Sequence, residues 1–429
     1  MRRLAALLTL ALALACGCSS RQHLNPFDPA NPETGGRPVG FVALAGEGSV
    51  ILRWQPASSP RLIGYQAFRL APGDSVFRAI TTVMRPGVTA AIDTRLEDGV
   101  QFRYRLYFVF QTGLGASPAE DVATPGPLAA WVADPGSGTI LRLSADGRRV
   151  AEVVDPAPLV SPFAIDVNPA DGKVWSVGEG AGVLVYDPDL NSGNSIGQDL
   201  SSPLSVAVDR RDGSAWIGDD GSSAVYHLLA TGAEADPPGL SGLQYPGGVA
   251  VDAADGSIWV TEHDGNRVRH YDAGGALIST ATLSLPSRVA VDTLTHEAWV
   301  TSFSNGLVVR FSPDLVARDT VSISGPIGVA VDAVRGRVWV VDAQGDRVIA
   351  LTRAGALAFQ VTGLSEPREV ALDEGSGEAW VTVTGAGTVA RLSPTGARLA
   401  QAAGMRAPWG IALEDVRMRT FTTARRARP

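Results

Sequence analysis

The feature that most constrains this chain is a stretch of sequence that returns seven times after residue 160. Each copy opens with a proline and a short, largely apolar run, and six of the seven carry a tryptophan thirteen residues later. Successive prolines are 40 to 43 residues apart, a period typical of the four-stranded blades of a β-propeller. The prolines are Pro162, Pro203, Pro246, Pro286, Pro326, Pro367 and Pro408, and the tryptophans are Trp175, Trp216, Trp259, Trp299, Trp339 and Trp380.

The unit that begins at Pro246 shows why each repeat is predicted to be all-β. Residues 248–251 are continuously apolar, as expected for an inner strand covered on both faces. The Asp255-Gly256 pair is a hairpin turn signal, and residues 258–260 and 268–271 supply the second and third strands. A more polar outer strand follows, which completes one blade of four strands.

The number of blades depends on how the ends of the chain combine. Six complete units run from residue 162 to about 404, and strands around Trp131 and after Pro408 are left over. Joined, they make a seventh blade that closes the ring and removes its free edges. Phe421 also stands thirteen residues after a proline, so either end of the chain could supply the second strand of this blade. We predict a seven-bladed propeller over residues 127–424, with six blades as the alternative.

A residue that recurs in every blade serves what every blade needs, so we expect the seven tryptophans, Trp131 included, to pack between blades. The position eleven residues after each tryptophan is predicted to lie on the third strand and to face solvent. That position is held by Arg142, His227, His270, Arg310 and Arg391.

A different pattern occupies residues 39–124. Short runs at 50–54, 65–70 and 102–108 read as strands separated by Pro, Gly and Ser turns, which predicts a small sandwich of two sheets. Trp54 and the Tyr104-Arg105-Leu106-Tyr107 run resemble the core tryptophan and the tyrosine-bearing strand of fibronectin type III modules. The resemblance implies a spacer or docking module.

The first 18 residues read as an export signal. Arg2 and Arg3 precede an apolar run that is too short to span a bilayer and ends in small residues. The placement of Cys16 and Cys18 resembles the signal of bacterial lipoproteins, in which a cysteine after the cleavage site carries lipid. Both cysteines fit, and a plain secretory signal is the alternative.

Residues 19–38 are rich in Pro, Asn and Gly and are predicted to form an extended tether. The Asn25-Pro26-Phe27-Asp28-Pro29 run resembles a spacer found after the lipid cysteine of some bacterial lipoproteins. We therefore expect an exported protein that is attached to the cell envelope through its lipid alone, on the periplasmic face of a membrane or at the cell surface.

The repeats resemble NHL repeats and the similar repeats of streptogramin lyases. The resemblance is carried by residues 246–252, 258–262 and 265–268. NHL-type propellers are mainly binding platforms, so the resemblance implies a binding or scaffolding protein without catalysis. A metal-dependent lyase or lactonase is the alternative, although the His/Glu magnesium site of streptogramin lyases does not map onto this sequence residue by residue.

The net charge of the chain argues against one class of partner. The formal net charge is −8 and no basic stripe occurs, which argues against binding of nucleic acid. The expected partner is a protein or carbohydrate of the cell envelope. Of the five histidines, His263 beside Glu262 lies on the face that carries the blade prolines and is the candidate for acid–base chemistry.

The channel mouth, which we define as the two positions after each blade proline, is the predicted ligand site. The second position is small in most repeats, whereas Arg288 and Glu369 are charged. Charged and aromatic side chains on converging loops suit recognition, and an Arg288–Glu369 structural pair with turn-capping acids is the alternative. The predicted ligand-binding residues are Phe163, Glu262, His263, Arg288, Arg368, Glu369 and Trp409, and acids expected to border the same face are Asp134, Asp219, Glu262 and Asp342.

Other motifs give little support for a cofactor. The run from Gly193 to Gly197 matches a hydrolase nucleophile elbow only as letters, because it falls in a predicted blade loop. Asp187, Asp189 and Asn191 have the alternate spacing of a calcium loop but lack its glycine and closing glutamate. We expect no cofactor and no metal, with a surface calcium or magnesium ion as the alternative.

Overall fold

The structure is a computed structural model that describes residues 25–31, 34–46, 48–97, 100–123, 125, 129–143, 150–157, 159–179, 182–187, 192–197 and 200–414. The prediction of an all-β protein is confirmed, since one 3-10 turn at Thr384–Ala386 accompanies 35 strands in these residues. No helix among them has the length and hydropathy of a membrane span. The lipidation candidates Cys16 and Cys18, together with Asp189, Asn191 and Phe421, lie outside the described residues.

The chain divides into two compact units. The first takes residues up to 44, 51–93 and 101–123, and the second takes 45–50, 94–100 and 124 onward. The segment of residues 42–123 contains a three-stranded sheet of order β1-β2-β5 and a second sheet of order β4-β3-β6-β7 in which β8 also pairs with β6. Its strands are β1 Val42–Gly46, β2 Ser49–Arg53, β3 Leu62–Leu70, β4 Arg78–Ala79, β5 Ala90–Thr94, β6 Phe102–Phe110, β7 Gly113–Leu114 and β8 Ala119–Ala123.

Part of the predicted tether is folded rather than extended. The backbone makes successive turns, with the Gly35 amide donating to the Asn31 carbonyl and the Thr34 hydroxyl donating to the Pro26 carbonyl. The Phe27 ring lies 4.8 Å from the ring of Phe108, edge to face. An aromatic side chain in a polar segment supplies enough apolar surface to hold the turns against the sandwich, a contact that composition did not predict.

The described residues between 129 and 414 form seven sheets, which we number as blades 1 to 7 in chain order. The strands of the first three are β9 Ala129–Asp134, β10 Thr139–Leu143 and β11 Val150–Val154 in blade 1; β12 Ser161–Val167, β13 Val174–Glu179, β14 Val183–Asp187 and β15 Ser192–Ile196 in blade 2; and β16 Pro203–Val208, β17 Ala215–Asp219 and β18 Ala224–Leu228 in blade 3.

Blades 4 to 7 follow one pattern of four antiparallel strands each. The strands are β19 Pro246–Val251, β20 Ile258–Glu262, β21 Arg267–Tyr271 and β22 Leu277–Thr282 in blade 4; β23 Val289–Asp292, β24 Glu297–Ser302, β25 Leu307–Phe311 and β26 Ala317–Ser322 in blade 5; β27 Pro326–Asp332, β28 Arg337–Asp342, β29 Arg347–Thr352 and β30 Leu357–Thr362 in blade 6; and β31 Pro367–Leu372, β32 Ala379–Val383, β33 Thr388–Leu392 and β34 Arg398–Ala403 in blade 7.

The two ends of the repeat array pair with each other. The last described strand, β35 Ile411–Glu414, joins β9 of blade 1, with Ala412 opposite Trp131. The Trp131 indole Nε1 donates to the Glu414 carboxylate at 2.5 Å, and Arg142 Nε lies 3.0 Å from the same carboxylate. The N-terminal segment therefore supplies the second strand of the closing blade, which answers the question that Phe421 had left open.

Each blade packs on the next through one buried tryptophan. The described residues form seven apolar clusters between neighbouring blades, and each cluster contains a different blade tryptophan. The cluster around Trp380 joins blade 7 to blade 1 and so closes the ring. All seven tryptophans are buried, as predicted from their period.

Our prediction for the third-strand position was wrong for both histidines. His227 and His270 are buried, and their rings stack on Trp216 and Trp259 at 3.9 and 4.0 Å. The guanidinium groups of Arg142, Arg310 and Arg391 lie over the tryptophans of their own blades at the same position. An imidazole or guanidinium at this position covers the face of the indole. The energy gained from this stacking outweighs the preference of a polar side chain for solvent.

The ring has two faces that carry different loops. The proline face holds the blade prolines and the ends of the second strands, such as Glu262. The hairpin face holds the short turns between the first and second strands, such as residues 252–257 in blade 4.

Candidate functional site

The acids on the proline face hold loops together. Asp134 accepts the amides of Arg406 and Ala407, and Asp219 accepts those of Ser201 and Ser202, at 2.6 to 3.2 Å. Asp342 accepts the Gly325 amide in the same way. These carboxylates are buried, and each ties the end of a second strand to the segment that precedes a first strand, so their role is structural.

Glu262 belongs to this set, and we correct its assignment as a ligand-binding residue. It is fully buried and accepts the Gln244 amide at 2.7 Å. Arg267 and Arg269 approach its carboxylate at 2.8 and 2.6 Å. The hydrogen bond to Glu262 raises the pKa of Arg267. A carboxylate with this many partners is already occupied.

His263 lies beside Glu262 in sequence but contacts other residues. Its Nδ1 is 2.8 Å from the Asp264 carboxylate, and its ring centroid is 5.2 Å from that of Tyr245. The imidazole is half-buried at the rim of the proline face. The structure pairs it with an exposed acid, which leaves it available to a partner that reaches this rim.

At the channel mouth the structure brings Arg288 and Glu369 together. Arg288 Nη1 donates to the Gly247 carbonyl at 2.6 Å, and its Nε lies 3.8 Å from Glu369 Oε2. Burial raises the pKa of Glu369, while Arg288 and the Val370 amide act in the opposite direction. A Cβ on Gly328 would lie 2.7 Å from the Glu369 carboxylate, so this small residue makes room for the pair.

A second group of mouth residues joins a guanidinium to an indole. Arg368 lies over the ring of Trp409 at 4.9 Å, and its Nε is buried without a hydrogen-bond partner among the described residues. A Cβ on Gly410 would lie 2.6 Å from the Phe163 carbonyl, which places Phe163 beside the Trp409 segment. Five of the seven predicted residues hold mouth positions in the sequence, and His263 follows β20 on the proline face. Their role in ligand binding stays a prediction.

Asp166 occupies the channel in place of the small inner-strand residue of other blades. It accepts the Val167 and Val208 amides, both at 2.8 Å. Burial raises its pKa, and Arg210 and the two amides oppose the rise. Its bonds satisfy backbone groups on the inner edges of blades 2 and 3.

One cluster was missed by sequence reasoning. Asp252, Asp255 and His296 lie together on the hairpin face, and their ligand atoms are all within 4.8 Å of one another. The residues come from two successive repeats, so no local motif contains them. The available signal was the histidine itself, which stands where other repeats have glycine.

Comparison with known proteins gives one family match. Residues 243–271 match the NHL repeat, and no curated protein matches the chain. A chain from the crystal structure of a nidogen/laminin complex is similar at 13% identity, covering 67% of this chain and 98% of that chain, with a TM-score of 0.46. A protein of unknown function from Bacteroides caccae is similar at 12% identity, covering 68% and 100%, with a TM-score of 0.43. The NHL match spans all of β19, β20 and β21, so blade 4 carries an NHL-type repeat.

Proposed function

We propose that this chain is an exported, lipid-anchored binding or scaffolding protein that captures a protein of the cell envelope at the channel mouth of the proline face. One observation carries the proposal. Small residues at the second mouth position give way to Arg288 and Glu369, and Arg368 stacks on Trp409 next to them. Charged and aromatic groups that remain partly exposed in the centre of a rigid ring suit recognition.

The chemistry of these side chains favours a protein partner. Tryptophan and arginine dominate the binding energy of protein interfaces, because both bury large apolar area and keep polar groups that find new partners. Arg288 and Glu369 offer opposite charges within 3.8 Å, so a partner with a complementary pair would be oriented on the mouth. A carbohydrate could also stack on Trp409, and the experiment below separates the two classes.

The hydrogen bonds of the acids on the proline face favour a binding function over the lyase alternative. A metal-dependent reaction at the mouth needs several carboxylates that are free to hold an ion. The acids that border the proline face instead accept backbone amides, as Asp219 and Glu262 show. Glu369 supplies one mouth carboxylate, and it faces Arg288.

The proposed anchor would keep the sandwich near the membrane. Fewer than ten residues separate Cys16 or Cys18 from Asn25, where the described turns begin. A fully extended chain spans about 3.5 Å per residue, so this segment reaches about 30 Å at most. Because Phe27 packs on the sandwich, the part of the predicted tether from Asn25 onward does not add to this reach.

A photo-crosslinking experiment in the cell envelope tests the proposal. A photoreactive residue at Trp409 of the full chain should crosslink to a defined protein, and one at Arg61, an exposed residue of the sandwich, should not. The purified partner should then bind Arg368→Ala at least tenfold more weakly than the wild type, with Arg61→Ala unchanged. Crosslinking to glycan would replace the protein partner by a carbohydrate, and equal crosslinking from both positions would contradict a binding site at the mouth.

A further inference from the structure

The turns on the hairpin face share a backbone pattern that one blade breaks. In five of the six described turns the fifth residue is a glycine with φ between 60° and 81°, and in blade 5 it is His296 with φ 58°. In blades 2 to 5 and in blade 7 the amide of this residue donates to the carbonyl of the first, as from His296 to Asp292 at 2.7 Å. A left-handed conformation is unfavourable for a residue with a side chain, and glycine avoids this cost. The first and fifth residues are Asn168 and Gly172, Asp209 and Gly213, Asp252 and Gly256, Asp292 and His296, Asp332 and Gly336, and Asp373 and Gly377.

His296 reaches back from blade 5 to the turn of blade 4. Its Nδ1 lies 2.8 Å from Asp252 Oδ2 and 3.4 Å from Asp255 Oδ2. Asp252 is fully buried, whereas Asp255 and His296 are partly exposed. The cluster is thus open to solvent on one side and closed by protein on the other.

The buried aspartates of neighbouring blades have a different partner. Asp209, Asp292 and Asp332 each pair with an arginine, at 2.6 to 3.2 Å. Asp252 accepts the Ala254 amide at 2.9 Å and otherwise faces an imidazole, with a second carboxylate beside it. Replacing a fixed cation by a histidine and an acid turns an ion pair into a set of metal-ligating atoms.

A second, independent observation comes from His270, which is 4% exposed. Its Nδ1 donates to the Pro313 carbonyl at 2.6 Å, so its Nε2 carries the lone pair, yet this buried atom has no partner among the described residues. In blade 3 the equivalent Nε2 of His227 meets the Ser214 hydroxyl at 2.7 Å, toward the turn. The hydroxyl of Ser257, the equivalent serine, is also buried without a partner in the part of the chain that the structure describes, and the Ser257 amide donates to Asp255.

The equivalence with His227 indicates that the unpartnered Nε2 of His270 points toward the turn that carries Asp255. The charges of Asp255, Asp252 and His296 are close enough to act on this imidazole. Histidines that serve metal sites typically fix one ring nitrogen on a backbone carbonyl and turn the other toward the ion or its water. Buried donors and acceptors without partners are the places where an ion or its bound water is expected.

We propose that Asp252, Asp255 and His296 bind a divalent transition-metal ion of the zinc class, with His270 and Ser257 facing its bound water. Bonds of about 2.0–2.2 Å to oxygen and nitrogen place tetrahedral ligand atoms roughly 3.3 Å apart, close to the 2.8 and 3.4 Å separations in the structure. An imidazole beside two carboxylates favours zinc over magnesium or calcium, which prefer oxygen alone. The ion would tie the turns of blades 4 and 5 together.

Zinc titration of the purified, metal-stripped full chain tests the site. Isothermal titration with Zn²⁺ should show one ion per chain, and His296→Gly should weaken that binding at least tenfold. This variant restores the residue that the other turns carry, so it should fold. His263→Gly removes a histidine from the opposite face and is the matched control, which should bind as the wild type does.

Asp255→Asn separates the site from a folding defect, since Asp255 is an exposed turn residue. It should also lose at least tenfold in zinc affinity, while circular dichroism of both variants matches the wild type. The proposal is overturned by a wild-type chain that takes up no stoichiometric zinc. It is equally overturned by unchanged binding in His296→Gly, or by an equal loss in His263→Gly.

Discussion

The two ends of blade 4 each bury a carboxylate, and they treat it differently. On the proline face Glu262 has two arginines and a backbone amide as partners. On the hairpin face Asp252 has an amide and the imidazole of His296, and burial raises its pKa. The same blade therefore holds one carboxylate whose charge is compensated and one whose charge is not.

The difference shows how a repeat protein separates structure from function. A loop that every blade needs is held by a buried acid with fixed partners, and the ring repeats this solution at Asp134, Asp219 and Asp342. A position where one blade departs from the others, at a cost in backbone conformation, needs a local reason. His296 is such a departure, and a cation bound between it and Asp252 would supply the missing charge.

The largest loss of stability in blade 4 is expected from a change in its middle, at the buried tryptophan. Trp259 is fully buried among Val268, Val300 and Phe311 between blades 4 and 5. Trp259→Ala should lower the free energy of unfolding by about 3–5 kcal/mol, because it leaves a large cavity. Denaturant unfolding measures this, and a loss under about 1 kcal/mol would show that the indole does not pack as described.

At the proline end, Glu262→Gln should lower the free energy of unfolding by about 2–3 kcal/mol. The amide can still accept from Gln244, but Arg267 and Arg269 lose their anion and must turn to water. Metal-free urea melts of this variant and the wild type provide the measurement. An unchanged midpoint would mean that the carboxylate is not a structural group.

At the hairpin end, Asp252→Asn should cost less than about 1 kcal/mol without metal. The carboxamide keeps an oxygen for the Ala254 amide, and losing a charge that burial disfavours offsets the lost contact with His296. The same urea melts in the presence of a chelator apply. If this variant loses as much stability as Glu262→Gln, the contrast between the two ends is wrong.

The free energy of unfolding should depend on pH through Glu369. Its pKa is raised by burial, so between its unfolded and folded pKa values the folded chain holds a proton that the unfolded chain has released. Stability therefore falls as the pH rises through that interval. Relative to Glu369→Gln, the wild type should lose stability as the pH rises above about 4.3, the ordinary pKa of glutamate, as followed by denaturant unfolding. A flat difference would mean that the carboxylate is solvated, and a rising one would mean that Arg288 lowers its pKa by more than burial raises it.

The smallest effect is expected from His296→Gly in metal-free protein, with a change below about 1 kcal/mol. Relief of the left-handed conformation stabilises the turn by about as much as the lost bond to Asp252 destabilises it. Thermal melts with chelator should nearly superimpose on the wild type, and adding Zn²⁺ should raise the melting temperature of the wild type alone. A large metal-free loss would indicate that the histidine is needed for folding.

The sequence predicted the parts of this molecule that depend on period. A proline, an apolar run and a tryptophan at fixed spacing indicate strands that share one environment, and the buried Trp259 and its counterparts occupy it. The choice of closing strand depended on a contact between residues far apart in the chain, Trp131 and Glu414, which no local pattern contains. The burial of His270 was missed because arginine holds the same position elsewhere and suggested solvent.

The mouth residues and His296 all break the pattern of the repeat at one position, but only the mouth residues were predicted. Arg288 and Glu369 were predicted as mouth residues because both break a rule at one position of the repeat. The same logic applied to the turns would have found His296 among glycines. The repeat pattern could not identify the partner of His296, because Asp252 lies 44 residues earlier and meets His296 only when blades 4 and 5 pack side by side.

The most direct measurement is anomalous diffraction at the zinc edge from crystals of the full chain grown with Zn²⁺. The account predicts a peak between Asp252, Asp255 and His296, about 2.0–2.2 Å from the ligating atoms, and no ion beside Glu262. A map without a peak at that position, with the His296 ring bonded directly to Asp252, would contradict it.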